Sequence, residues 1–379
     1  MRITVFTREV AASDGPDRPY LLFLQGGPGM EAARPTSPVT GWMKRALQDY
    51  RVLLLDQRGT GRSTPVGPVI PGGLPAAQAA YLAHFRANAI VRDAELIRDE
   101  LGGERWSVLG QSFGGFTSMT YLSIAPHGLR EAFITGGLAP VGRPADDIYG
   151  ATWRRVIARN RAYFERYPED RRRAQEIFAR LDTDDVRLPN GDRLTARRFR
   201  QLGLWLGDSA GFEHLHHLLE LPLGSPAFLW DAMKGAANFA RNPIYATLHE
   251  SSYADGVATR WSAARLMPPE IEAEGYFTAE HVFPWMFDDY GGLHGHRDAA
   301  ELLAEHEWPR LYDADVLRAN EVPVAATIYL NDLYVERAFA EETAATIRGL
   351  KAWQTAEYEH NGLRADGEHV LGRLIEMLS

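Results

Sequence analysis

Short, largely apolar runs alternate with stretches of helical spacing along the first third of the chain. Each run is long enough for one strand and is followed by glycine or aspartate residues that favour a loop. Residues 20–24, 51–55, 106–109 and 132–135 are therefore predicted as strands, and 89–101 and the stretch from Phe113 as helices. This alternation is typical of an α/β protein whose mostly parallel sheet is covered by helices on both faces.

The pattern changes after about Val141. From Ala151 to about Pro309 the spacing of apolar residues is helical, with many arginines and aromatic residues. A strand at 322–329, a helix at 338–347 and a last strand at 353–358 then follow. We predict one α/β core, 1–141 with 310–379, interrupted by a helical cap at 142–309. Such a cap would lie over the carboxyl ends of the strands, where open α/β sheets bind ligands.

Composition narrows the classes of function. The chain of 379 residues has a formal net charge of −9 and no basic patch, so nucleic acid is not expected as a partner. Cysteine is absent, which excludes disulfides, thiol nucleophiles and cysteine-ligated zinc. The apolar run at the N-terminus is too short for a signal peptide, and no run reaches the roughly 18 residues of a membrane span. We expect a soluble, cytoplasmic protein without a membrane partner, and the oligomeric state stays open.

The pattern GxSxG at 110–114 places Ser112 between a predicted strand and a predicted helix. A serine on such a sharp turn is exposed as a nucleophile, and the small glycines allow the turn to close. The pattern also fits an ordinary glycine-rich turn. The strand and helix on either side of it favour the nucleophile.

A serine nucleophile needs a base and a carboxylate that orients the base. In α/β enzymes whose nucleophilic serine lies on such a strand-to-helix turn, the three residues follow along the chain in the order Ser, Asp or Glu, His. Asp332 comes after the strand at 322–329 and His360 after the last strand, so both are expected at the sheet edge of Ser112. His369 and Asp366 are weaker rivals. The histidine-rich segments at 214–217 and 294–296 lack a zinc-ligand spacing, so no metal is expected.

The oxyanion of an acyl-transfer reaction needs two backbone N–H donors. One is expected from Phe113, the residue after the nucleophile, and the other from the loop after the first strand. We assign the second to Gly27, because Pro28 has no N–H.

Five segments carry a family resemblance: GGPG at 26–29, DQRGTGRS at 56–63, GQSFGG at 110–115, NPIYATLHESSY at 242–253 and YEHNGLRADGE at 358–368. Together they resemble the proline iminopeptidase family of α/β-hydrolases, over nearly the whole chain. The resemblance implies removal of an N-terminal residue, commonly proline, from a peptide with a free N-terminus. It also implies a helical cap with acidic residues that hold the substrate amine, and no cofactor. The chain departs from the family at Gln25, where histidine is common, and in the strands before residue 20, which are reduced or missing.

Two cap carboxylates are candidates for the amine. Glu250 matches the acidic cap helix of the family, and a helix starting at Asn242-Pro243 would place it two turns in, between Tyr245 and Tyr253. Glu280 is the second candidate. Either could instead be a solvated surface glutamate.

The predicted function is a serine aminopeptidase that releases N-terminal proline or another small residue from short peptides. An esterase, lactonase or amidase with the same triad is the alternative, because the fold does not determine the substrate. A non-catalytic ligand-binding protein on the same fold is a second alternative. Asp56 and Arg58 could pair and brace the loops, or contact the substrate.

Overall fold

A computed structural model describes residues 2–379 of the chain and contains a seven-stranded sheet. The strand order is β1-β3-β2-β4-β5-β6-β7, and all neighbouring strands are parallel except β1 and β3, which are antiparallel. The strands are β1 (Phe6–Val10), β2 (Tyr20–Leu24), β3 (Arg51–Asp56), β4 (Trp106–Gln111), β5 (Leu129–Thr135), β6 (Val324–Tyr329) and β7 (Lys351–Thr355).

The central strands are buried on both faces. In β2, Leu22 and Leu24 pack into one apolar cluster, whereas Leu21 and Phe23 pack into another. Successive side chains of a strand point to opposite faces, so these two clusters lie on the two sides of the sheet. This explains why the strands read as continuous apolar runs.

Helices cover the sheet, as the alternating pattern predicted. The helices before β5 are α1 (Gly41–Ala46), α2 (Pro75–Leu82), α3 (Ala87–Glu100) and α4 (Phe113–Ile124). The α/β fold with a mostly parallel sheet is therefore confirmed.

The segment 142–309, between β5 and β6, is helical and contributes no strand to this sheet. Its helices are α5 (Ala145–Arg166), α6 (Pro168–Thr183), α7 (Ala196–Arg200), α8 (Gly211–Glu220), α9 (Pro226–Gly235), α10 (Ala237–Arg241), α11 (Pro243–Leu248), α12 (Ser262–Arg265), α13 (Glu270–Ala273), α14 (Met286–Asp289) and α15 (Arg297–Ala304). An apolar cluster of its own runs from Trp153 to Ala300 and also contains Leu333 and Tyr334. The division into core and cap at 141/142 and 309/310 stays a prediction.

From residue 310 the chain returns to the sheet, to which it adds β6 and β7. The helices of this part are α16 (Ala314–Arg318), α17 (Arg337–Thr346), α18 (Gly362–Ala365) and α19 (Gly367–Leu378). Across residues 2–379, no helix has both the length and the apolar character that crossing a membrane requires.

Candidate active site

Ser112 lies on a strained turn between β4 and α4. Its φ and ψ are 56° and −122°, a conformation that side-chain-bearing residues rarely adopt. Glycines permit the turn, because a Cβ on Gly114 would lie 1.8 Å from the Leu24 carbonyl oxygen, and one on Gly110 2.3 Å from the Gly114 carbonyl oxygen. The backbone therefore presents the serine side chain at the carboxyl end of the sheet.

The loop after β2 lies against this turn. A Cβ placed on Gly26 would be 3.2 Å from the Ser112 Cβ, which shows how closely the two segments approach. Gly27 follows directly, and Phe113 is the first residue of α4. Among the loop and turn hydrogen bonds of residues 2–379, none has the backbone N–H of Gly27 or Phe113 as donor.

Asp332 and His360 form a buried pair after β6 and β7. The Asp332 Oδ2 lies 2.7 Å from the His360 Nδ1, and its Oδ1 accepts the N–H groups of Tyr334 and Val335 at 2.8 and 3.0 Å. Both side chains are buried, and the Tyr334 ring packs edge-on against the imidazole at 4.8 Å. Because an ionised carboxylate only accepts, the His360 Nδ1 carries the hydrogen and Nε2 is left as the acceptor.

The pair changes the basicity of His360. Burial alone would lower the pKa of its imidazole, but the charge and hydrogen bond of Asp332 and the charge of Glu280 hold that pKa above its ordinary value. His360 is therefore a stronger base than a free histidine.

Ser112 and His360 line one cavity of about 250 Å³, and Gly27 and Glu280 also belong to its lining. Within residues 2–379 no hydrogen bond joins the Ser112 hydroxyl to His360. Such bonds are often long in proteins without substrate. The structure therefore brings together the predicted residues Ser112, Gly27, Glu280 and His360, and Asp332 lies behind His360.

Glu280 presents a largely buried carboxylate to this cavity. It accepts a hydrogen bond from the Tyr245 hydroxyl, and its Oε2 lies 3.5 Å from the His249 Nε2. Burial alone would raise the pKa of Glu280, but the hydrogen bond and charge of His249, the charge of His360 and the Tyr245 hydroxyl hold it below its ordinary value. A carboxylate whose pKa is lowered in this way is suited to bind a cation.

Glu250 is placed differently from the expectation. Its carboxylate accepts the backbone N–H groups of Ser262 and Ala263 at 3.1 and 2.9 Å, and it does not line the cavity of Ser112. Burial raises its pKa against these hydrogen bonds. It lies in a short 3₁₀ turn, Glu250–Tyr253, beyond the end of α11, and not two turns into a helix.

Comparison with known proteins places the chain in a family. The sequence model of the α/β-hydrolase fold matches residues 19–284. A proline iminopeptidase of Aeromonas sobria is 49% identical over 390 residues, which covers 99% of this chain and 91% of the relative. The chain belongs to the proline iminopeptidase family of α/β-hydrolases. This membership makes it an enzyme of the serine-hydrolase class.

A second relative and a solved structure are also similar to this chain. A proline iminopeptidase of Aspergillus aculeatus is 33% identical over 394 residues, covering 97% of this chain and 87% of the relative. The crystal structure of a proline iminopeptidase of Mycobacterium smegmatis covers 100% of this chain and 97% of its own, with a TM-score of 0.50 at 15% identity. At that identity the likeness shows the shared fold.

The family segment DQRG braces the loops, but not through the expected pair. Arg58 binds both oxygens of Asp93 on α3, at 2.6 and 2.7 Å. Asp56 instead accepts the backbone N–H groups of Ala32 and Arg62 at 3.3 and 2.8 Å. The predicted pairing of Asp56 with Arg58 is therefore wrong, because Arg58 pairs with Asp93 and Asp56 binds backbone N–H groups.

Several residues of the cavity were not predicted from the sequence of this chain. Trp205, Lys234, Tyr245 and Tyr334 also line the cavity. The sequence analysis named Tyr245 only as an aromatic neighbour of Glu250. The other three residues lie in no recognisable sequence motif. Trp205, Lys234 and Tyr245 reach the cavity through the packing of the inserted helices, whereas Tyr334 comes from the segment after β6.

Proposed function

We propose that this protein removes N-terminal proline, or another small residue, from short peptides by transferring the acyl group to water. The observation that carries the proposal is the single cavity lined by Ser112, His360 and the largely buried Glu280. A nucleophile, a base and an anion within one small cavity suit a substrate whose free amine lies beside the bond to be cut.

In the proposed mechanism the Ser112 hydroxyl attacks the carbonyl carbon of the first residue, and His360 Nε2 takes its proton. The negative oxygen that forms accepts hydrogen bonds from the N–H groups of Gly27 and Phe113. His360 then gives the proton to the leaving amine, and a water molecule hydrolyses the acyl-enzyme by the same steps. Asp332 holds the imidazole tautomer and stabilises its protonated form.

We assign the amine anchor to Glu280. Glu280 lines the cavity of Ser112, whereas Glu250 does not line it and turns its carboxylate to two backbone N–H groups. A cyclic ammonium held by a buried carboxylate forms a charge-assisted hydrogen bond. The tyrosine hydroxyl of Tyr245 fixes the carboxylate in position.

Glu280→Gln is expected to lower kcat/KM for proline naphthylamide by about ten- to a hundredfold. A hydrogen bond to a charged group contributes roughly 1.5–3 kcal/mol, and about 1.4 kcal/mol corresponds to a factor of ten. Hydrolysis of a neutral aryl ester, which has no amine to anchor, should change far less. Steady-state kinetics on both substrates measures the difference.

Two comparisons decide the assignment. Wild-type enzyme should cleave N-acetyl-proline naphthylamide poorly, and equal rates on the free and acetylated substrates would favour the esterase or amidase alternative. Glu250→Gln is the matched variant. With rates expressed per active site, as counted by titration, it should keep the wild-type preference for the free over the acetylated substrate. If Glu250→Gln lost the preference for a free amine and Glu280→Gln kept it, the amine anchor would be Glu250.

The pH dependence of kcat/KM should show a base with a raised pKa. His360 acts as a base only when neutral, so activity should fall as the pH decreases through a value above about 6.5, the ordinary pKa of histidine. Glu280→Gln removes a charge that raises this pKa, and should move the acid limb to lower pH. The profile is measured with an aryl ester. An acid limb that stays fixed would contradict the coupling of Glu280 to His360.

A further inference from the structure

The cavity of Ser112 carries opposite charges at different depths. The side chain of Glu280 is only 15% exposed, whereas those of Lys234 and Arg364 in the same lining are 71% and 63% exposed. The cavity therefore has a carboxylate at its buried end and cations toward solvent. This arrangement matches a ligand that is positive at one end and negative at the other.

The two cations differ in their partners. The Arg364 Nη2 lies 3.0 Å from Oδ1 of Asp208, which also lines the cavity, so their charges offset each other there. Across residues 2–379, the ion pair formed by Lys234 is with Asp231, at a distance of 3.7 Å. This exceeds hydrogen-bond length. The ammonium of Lys234 can therefore bind a further anion.

Lys234 also marks the way out of the cavity. Together with Trp205 and Gly235 it lines a neighbouring groove of about 570 Å³. A peptide whose ammonium is held at Glu280 has to extend away from the buried end, toward this exposed wall. Its later residues would then pass Lys234.

We propose that Lys234 binds the free C-terminal carboxylate of a dipeptide whose ammonium is held by Glu280. This proposal rests on the proposed aminopeptidase function and names its substrate class as zwitterionic dipeptides. An extended residue spans about 3.3–3.6 Å, so a dipeptide separates its two charges by about two such steps. The carboxylate then lies on the leaving side of the scissile bond.

The test compares kcat/KM for prolyl-glycine with that for prolyl-glycine amide, which lacks the negative charge. For an exposed pair we expect the wild type to prefer the free acid by about two- to fivefold, and less so as salt is added. In Lys234→Met the ratio should fall to about one. Asp231→Asn removes the carboxylate that competes for Lys234, so the ratio should rise.

Lys44→Met is the matched control, because Lys44 pairs with Glu368 and does not line the cavity; its ratio should equal that of the wild type. A wild-type ratio of one, or an unchanged ratio in Lys234→Met, would overturn the carboxylate site. Proline naphthylamide has no carboxylate and separates the two failures. If it is cleaved while the ratio is one, only the carboxylate site fails. If neither it nor either dipeptide is cleaved, the proposed function fails and the carboxylate site with it.

Discussion

Ser112→Ala is expected to reduce turnover of proline naphthylamide by on the order of 10⁶, because it removes the proposed nucleophile while the rest of the site stays in place. The fold should be retained, since the substitution deletes one hydroxyl from a turn that the neighbouring glycines already allow. Steady-state kinetics, circular dichroism and thermal melting measure the two effects separately.

Labelling with a fluorophosphonate probe provides the control. The wild type should be labelled at Ser112, and Ser112→Ala should not be labelled. Ser118→Ala is the matched variant from the same helix, where the hydroxyl donates to the Gly114 carbonyl at 2.9 Å. It should keep both labelling and turnover. Ser112→Ala enzyme with more than a small fraction of wild-type turnover would rule out the serine mechanism.

The strands that were predicted best are those buried on both faces, because continuous apolar runs leave a local signal. β1 was missed for the opposite reason. It has the sequence FTREV, is largely half-buried, and pairs with β3 from Phe6↔Asp56 to Val10↔Val52 at the sheet edge. Its stability comes from backbone hydrogen bonds to a distant strand, and sequence periodicity does not report those.

The last strand was located but its bounds were wrong. The prediction was 353–358, and the structure has β7 at Lys351–Thr355, where most side chains are exposed. An edge strand of this kind is defined by its pairing with β6, from Ala325↔Lys351 to Tyr329↔Thr355. His360 consequently lies in a turn five residues after the strand, and still beside Asp332.

The cap contacts were the least predictable part of the site. Glu250 and Glu280 were both proposed from the sequence, but only the packing of the inserted helices determines which carboxylate faces the cavity. Glu250 falls beyond the end of α11, and Glu280 lies in a segment without regular structure.

The partner of Arg58 was unpredictable for a similar reason, since Asp93 is 35 residues away along the chain and lies in no recognisable sequence motif.

The two C-terminal histidines have contrasting surroundings. His360 is buried against Asp332, whereas His369 is exposed on α19, with the Trp353 ring edge-on to it at 5.6 Å. Only His360 lines the cavity of Ser112. A base has to reach the hydroxyl it deprotonates, so these surroundings favour His360.

His360→Ala is therefore expected to be nearly as damaging as Ser112→Ala, because the members of a triad act as a unit and the loss of one removes most of what all three contribute. His369→Ala, the matched variant, should keep turnover of proline naphthylamide within a few-fold of the wild type. Both are measured as kcat per folded enzyme, with circular dichroism as the check on folding. His360→Ala should also slow labelling of Ser112 by the fluorophosphonate, because the hydroxyl loses the base that activates it. Full activity in His360→Ala together with its loss in His369→Ala would move the base onto α19 and leave the buried pair with Asp332 without a role in catalysis.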